Sequence, residues 1–503
     1  MKNLKQILQF NKLLVFLGIF IFIYILFFTK IIKYSSKYDI NEKQVTGIIT
    51  SMKLDGNKLT INLKAKENII ANYYIQTEEE KNNIFNKVHL GSKIYLRGSF
   101  SEPLDNTVPN TFNYKRYLYN KKIYYIFDIS EYKIIGSNNL IYKLKDNLFK
   151  KIYNSENSDY YLAFILGDKA LLSSDIYNAY QKNGISHLLA ISGMHINMLV
   201  LLISKIIKSE KKEFVVTSSF LLLYLFLTGI TASIMRAILF YILKKINKLK
   251  NLRYSNMHIL ILSAYIILFI DPFMIYDLGF IYSFVVCFGI IYYNNYIKGN
   301  YFIKLLKLSI ITFLFSLPVT ALVNFEINLL SILINIIFVP WVSLFLYPFT
   351  LISFIIPFLN PILSFFITIT NDLNIFFGKF SLLINIPKMP IIFVALFYLI
   401  LLTKKKKNIY FLPLIVVICK LLPLLDFNYY VYYLDVGQGD SSILLSPHNK
   451  ETIMIDTGGK VEYKIDDWKK KKKTYHLSDN TIKFLKSKGI TSFSYMIITH
   501  GDA

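Results

Sequence analysis

Two groups of residues in this chain have types and spacings that could do chemistry. The first lies in apolar surroundings. It comprises the run Gly184-Ile-Ser-His-Leu-Leu-Ala-Ile-Ser-Gly-Met-His195 and, further on, Arg236 within Ser233-Ile-Met-Arg-Ala. An ionisable side chain inside such a segment is costly unless it faces a polar cavity or a partner. On one continuous helix His187 and His195 would fall within roughly 80° of each other, with Ser192 between them. Asn335, shortly before Pro340, marks a broken helix of the kind tolerated at membrane depth where it lines a cavity. His187, Ser192, His195, Arg236 and Asn335 are therefore the candidates for lining a polar passage; the competing reading is a hydrogen-bonded helix–helix cluster. Arg236 offers a planar guanidinium suited to phosphate, or it reaches back towards the lysines that follow it. Asp277 either caps the helix starting near Gly279 or partners Arg236, and the cap is the simpler account.

The second group is C-terminal: Leu434-Asp-Val-Gly-Gln-Gly-Asp440, then Ile455-Asp-Thr-Gly-Gly459, then Thr499-His-Gly-Asp-Ala503. A strand ending in Thr-His with an Asp two residues on is how a binuclear metal loop opens. His500 and Asp502 would be its first ligands, and Asp456 a remnant of the catalytic set. Two side chains are too few for a catalytic zinc, which typically takes three plus water. No cofactor is expected here, with zinc or manganese expected only in a completed domain, so the chain is expected to be inactive as a hydrolase.

The elements that must position these residues are mostly apolar. Of 503 residues 54% are hydrophobic, 16% aromatic and only 18% charged, and mean hydropathy is +0.42. Apolar blocks recur at lengths near the ~20 residues that cross a bilayer as helix, which excludes a soluble enzyme as the class. The formal net charge is +25, but lysine dominates the 57 basic residues and much of it sits in short loops between apolar blocks, as the positive-inside rule expects. Cys287 and Cys419, both in apolar blocks, read as small buried hydrophobes rather than a disulfide or metal motif.

Five segments make up the chain. Residues 1–37 hold a basic start and an apolar run without a small-residue cleavage site, hence an uncleaved N-terminal transmembrane helix. Residues 38–136 alternate apolar and polar in five short runs, with a hairpin signal at Asp55-Gly56; this predicts a small barrel of the OB type with little helix. On its surface Tyr73, Tyr74, Tyr95 and Arg97 could stack single-stranded nucleic acid, or simply pack the sheet. Residues 137–183 predict an amphipathic linker and helix. Residues 184–426 predict the remaining spans, including one helix over 184–203 and one over 329–356 broken at its prolines. With the lysine clusters all cytoplasmic, eleven crossings result, and the barrel and C-terminus lie outside. Residues 427–503 predict the opening of a mixed α/β domain.

The chain resembles the ComEC-type competence proteins along essentially its whole length. Asn113-Tyr-Lys-Arg-Tyr-Leu118 resembles that family's signature at the end of the barrel. The Leu166-Gly-Asp168 turn, the His187–His195 run, Leu227-Thr-Gly229 with Arg236, and Asp277-Leu-Gly-Phe-Ile-Tyr-Ser-Phe284 resemble its competence domain. The segments bearing Asp435, Gln438, Asp440, His500 and Asp502 resemble its metallo-β-lactamase-type domain, where the family continues with further ligands. The resemblance implies a polytopic α-helical protein of the inner (cytoplasmic) membrane, with an OB-like domain and an incomplete metallo-β-lactamase-like domain outside. It implies passage of single-stranded transforming DNA through the channel domain, with other competence proteins as partners: a DNA receptor, a cytoplasmic ATPase or helicase, and a possible homo-oligomer. The rival readings are a membrane-anchored hydrolase and a small-solute transporter.

Overall fold

Alternation builds the N-terminal unit. Strands β1 (Gln44–Asp55), β2 (Lys58–Lys64), β3 (Asn68–Tyr74), β4 (Lys93–Ser101) and β5 (Ile126–Gly136) bury alternate side chains over most of β1 to β4 and at Phe127 and Ile129 of β5, with irregularities at Ile49/Ser51 and Arg97/Gly98. Ile49, Leu59, Ile61, Leu63, Ile94 and Phe127 fill the interior. In this computed structural model, which describes residues 2–136, 139–403, 406–437, 439–458, 466–472 and 478–499, the strands close into a barrel of order β1-β2-β3-β5-β4. All neighbours are antiparallel except β3 and β5. Asp55 pairs with Lys58 across the expected tight turn, where Gly56 takes φ +63°. The barrel carries more helix than its alternation suggested. Glu78–Lys87 is capped by Thr77, carries three acidic residues in its first turn, and buries Ile84 and Phe85 against the barrel.

The 137–183 region is not a tether. Helices Leu140–Tyr153, Ser158–Ile165 and Ser174–Lys182 bury Phe149, Tyr160, Phe164 and Tyr180, and one core runs from the barrel through them to Phe338, Tyr347 and Ile367. Continuous apolar packing of this kind holds the barrel to the helices by area removed from water.

The rest is mainly helical. Five stretches are long and apolar enough to cross a membrane: Phe10–Ile31, Tyr301–Asn324, Ser331–Ile355, Pro357–Lys379 and Asn408–Leu425. Four more helices are apolar but shorter: Gly193–Ile206, Asn256–Ile270, Leu278–Tyr292 and Ile391–Leu402. The protein is thus a multi-pass membrane protein, but not by eleven uniform spans, and two expectations are corrected. The 184–203 segment is not one helix: a 3-10 turn over Ser186–Leu189 gives way to extended backbone at Ala190 and Ser192, and a new helix starts at Gly193. His187 and His195 therefore do not share a helical face. The 329–356 segment, in contrast, is not broken by its prolines. Pro340 ends one α-helical stretch, Trp341–Leu346 widens into a π-helix, and Tyr347–Ile355 continues as α-helix. A π-turn lets carbonyls that would face the missing Pro N–H find another donor, so the helix carries on.

C-terminally, β8 (Tyr430–Tyr433), β9 (Ser442–Leu445), β10 (Thr452–Ile455) and β11 (Tyr495–Ile497) form a sheet of order β11-β10-β9-β8, parallel only between β10 and β11. Helix Ser478–Ser487 packs Leu485 on it and ends before Gly489, at φ +83°. This unit sits on a two-stranded ribbon, β6 (Glu326–Asn328) with β7 (Leu383–Asn385), through Lys486–Glu326 at 2.6 Å and Asn385 Nδ2 donating to the Lys486 carbonyl at 2.9 Å. A strap over 466–472 reaches the barrel: the Lys472 N–H donates to Asp55 Oδ1 at 2.7 Å, Lys81 Nζ donates to the Trp468 carbonyl, and Ser174 N–H donates to the Lys472 carbonyl.

Candidate functional site

Arg236 sits on helix Ala232–Leu249, turned towards the parallel-lying face of helix Leu278–Tyr292. Its Nε donates to Ser283 Oγ at 2.6 Å and its Nη1 to Cys287 Sγ at 2.5 Å, two acceptors one helical turn apart. Its Nη2 abuts Gly193, where an added Cβ would lie 3.0 Å away. Glycine at the start of helix Gly193–Ile206 is what lets the guanidinium come this close. Arg236 thus neither reaches back to the basic loop nor pairs with Asp277, whose Oδ1 accepts from Phe280 N–H at 2.9 Å and caps the helix.

The guanidinium borders a cleft of about 290 Å³ whose other polar walls are Asn197, Asn256, Asn294 and Cys287. Among the described residues no carboxylate forms an ion pair with Arg236. Glu213, on the helix before, is buried and committed elsewhere: Lys245 Nζ lies 2.5 Å from its Oε2, and Tyr241 donates to its Oε1 at 2.8 Å. The cleft therefore holds one uncompensated cation among neutral amides. Chemically it can receive an anion through charge-assisted hydrogen bonds and release it again, and it offers no nucleophile with an adjacent base.

The other expected passage residues disperse. Ser192 is half-buried at the break beside Arg236, and its N–H donates to His195 Nδ1 at 3.0 Å, closing the start of the following helix. His195 is fully buried, its ring 4.2 Å from that of Tyr347 and 5.8 Å from that of Phe164, so it packs and caps rather than lining the cleft. His187 is exposed on the 3-10 turn. Asn335 stands on helix Ser331–Pro340 with its Oδ1 buried and without a hydrogen-bond partner among the described residues, away from the cleft lining. Asp168 closes its own turn by accepting from Ala170 N–H at 2.9 Å. Of the four barrel candidates, Tyr73 is committed to Glu80 at 2.6 Å, and burial with that hydrogen bond pushes its phenol well above the usual range. Arg97 pairs loosely with Glu131 at 3.8 Å, whereas Tyr74 is exposed with Lys58 Nζ 5.6 Å from its ring centre.

The C-terminal motifs form turns. Asp435 Oδ1 accepts from Gly437 N–H at 3.0 Å, and Asp440 is exposed. Asp456, at φ +53°, accepts from Thr499 N–H at 2.8 Å and from Thr499 Oγ1 at 2.6 Å, tying the ends of β10 and β11 together. Gln438, His500 and Asp502 lie outside the described residues. Among the described residues no three His, Cys, Asp or Glu side chains gather as a metal would need.

Sequence reasoning missed Asn197, Asn256 and Asn294, each an isolated amide beside a helix end, and read Cys287 only as a hydrophobe. The signal available was Ser283 and Cys287 at i and i+4, one helical face that Arg236 meets.

A bundle of apolar helices around a polar cleft, fused to a barrel, defines a multi-pass membrane protein. Residues 164–404 match the family described as "Competence protein". The chain is 27% identical over 495 residues to "ComE operon protein 3" of Bacillus subtilis (strain 168), covering 90% of this chain and 63% of that protein. It is 28% identical over 268 residues to "Uncharacterized protein MG316" of Mycoplasma genitalium, covering 52% of this chain and 70% of that one. No solved structure matches. The match to the competence family covers just under half of the chain, and the chain spans less than two thirds of the length of the B. subtilis relative.

Proposed function

We propose that this protein passes single-stranded DNA across the cytoplasmic membrane during transformation, with Arg236 meeting successive phosphates. The observation that carries the reading is the guanidinium held by Ser283 and Cys287 without a carboxylate, at the edge of a cleft lined by Asn197, Asn256 and Asn294. Uncharged amides and a single cation bind a polyanion weakly enough to let it move on, as conduction requires. The family supports a role in competence.

In this reading the barrel is OB-like, supported by its strand order and by the helix between β3 and β4, and it hands the strand on from outside. The four-stranded unit is the start of a metallo-β-lactamase-like domain, also outside, which would take zinc or manganese only with more ligands than His500 and Asp502. A DNA receptor and a cytoplasmic ATPase or helicase are the proposed partners, and a homo-oligomer is open to test. The decisive experiment follows labelled duplex DNA into cells lacking the gene and complemented with wild type, Arg236→Ala or Arg236→Lys. Loss of one charge-assisted contact predicts a drop of roughly tenfold or more in nuclease-protected internal label for Arg236→Ala at unchanged protein level. Arg236→Lys should recover part of it. Equal loss of label and of protein would reduce Arg236 to a structural residue.

A further inference from the structure

A second and larger cleft, of about 550 Å³, lies between the end of helix Leu140–Tyr153 and the turn that joins Tyr347–Ile355 to Asn360–Lys379. Ser353 lines it, fully buried, with its Oγ lacking any hydrogen-bond partner among the described residues. A helical serine or threonine ordinarily satisfies its hydroxyl on the carbonyl one turn back. Thr350, in the same helix, does so with Leu346 at 2.7 Å. Ser353 instead leaves a buried hydroxyl unmet in the wall of the cleft, a cost normally met by a ligand or water.

The mouth carries both charges. Lys151 leans on Phe354, with Nζ 3.4 Å from its carbonyl and 4.6 Å from its ring centre, and is otherwise exposed. Glu156 lines the same cleft, and among the described residues it is ion-paired neither with Lys151 nor with any other cation. A cation and an anion facing one cavity without closing on each other suit a dipolar ligand that fits between them. Phe354, Pro357 and Phe358 give the cleft an apolar edge, with Phe358 86% exposed, where two stretches apolar enough to cross a membrane meet. Tyr161 donates to Asn360 Oδ1 at 2.7 Å and fixes the floor.

We propose that this cleft seats one zwitterionic phospholipid of the phosphatidylethanolamine type. Its phosphate is taken by Lys151 and the Ser353 hydroxyl, its ammonium by Glu156, and its acyl chains lie along Pro357 and Phe358. A primary ammonium is favoured over a quaternary one because it can donate hydrogen bonds to the carboxylate. The site is independent of the DNA reading and needs only a lipid surface.

The test uses the full chain, purified in detergent, stripped of lipid and titrated with phosphatidylethanolamine, phosphatidylglycerol or phosphatidylcholine, with bound lipids counted by native mass spectrometry. Wild type should hold one phosphatidylethanolamine in preference to the other two. Lys151→Gln and Ser353→Ala should each weaken it by roughly tenfold, the scale of one charge-assisted contact. Glu156→Gln should abolish the preference over phosphatidylglycerol while leaving phosphatidylglycerol binding unchanged. Lys151 and Glu156 are exposed, so their substitutions leave packing intact, and a thermal melt checks each variant. The proposal is overturned by equal affinities in wild type and variants, by a wild-type preference for phosphatidylglycerol, or by displacement of the lipid by a single-stranded oligonucleotide. DNA uptake is not read, so failure here leaves the channel reading untouched.

Discussion

A guanidinium among apolar helices is tolerated only when the protein replaces part of its hydration, and Ser283 and Cys287 do this for two of the Arg236 nitrogens. The third nitrogen, Nη2, lies against Gly193 at the border of the cleft. That division, one edge anchored and one edge available, is what a transient phosphate contact requires. His195 shows the opposite arrangement. Its Nδ1 is occupied by the Ser192 N–H and its ring is enclosed by Tyr347 and Phe164. His195→Ala should therefore cost about 2–4 kcal/mol through a cavity and a lost helix-start bond. In detergent this would appear as a lowered Tm, while DNA uptake per folded molecule stays near wild type. A specific uptake defect at normal Tm would place His195 in the passage after all.

Helix Glu210–Thr228 and helix Ala232–Leu249 are joined by a buried ion pair. Glu213 and Lys245 meet at 2.5 Å with side chains 4% and 18% exposed, and Tyr241 adds a hydrogen bond. Buried pairs of this kind add little net stability, but removing one partner strands a charge. Lys245→Met should cost about 3–5 kcal/mol, and adding Glu213→Gln should recover most of it. Thermal melts of the two variants measure both steps, and a single variant as stable as wild type would mean that the pair is solvated.

Over the whole molecule, Glu326 and Asn385 hold the C-terminal sheet to the helices, and the barrel is tied in at two further places. One is the continuous core running from the barrel to Tyr347. The other is the 466–472 strap, where Trp468 packs against that core and backbone bonds reach Asp55 and Ser174. Trp468→Ala removes a large aromatic contact, worth about 3 kcal/mol or more if fully buried; since Trp468 is only half-buried, the expected loss is smaller and local. Limited proteolysis should then cut within 459–477 faster than in wild type, with the helical part undigested. Unchanged cleavage would show that the strap contributes no anchoring.

Much of this architecture follows from the chain itself. Period-two alternation placed the five barrel strands to within a few residues, Asp55-Gly56 the hairpin, and Gly489 the end of the last helix, because these signals are local and each residue's conformation is limited by its own backbone. The apolar blocks likewise established the membrane class, because a bilayer leaves little alternative. Local pattern could not show where a helix gives way. Residues 184–203 are apolar enough for one span yet break before Gly193, while the prolines after 339 do not break theirs. The cost of a missing or strained hydrogen bond depends on which neighbours can take it up. The make-up of the cleft was equally invisible. Asn197, Asn256, Asn294 and Cys287 come from three separate stretches of chain, and His195 and Arg236, similar in sequence setting, are sorted into packing and site only by what surrounds them. The identity of an ionisable residue is written in the sequence, but whether it is enclosed, paired or left open is decided by neighbours that only tertiary packing brings together.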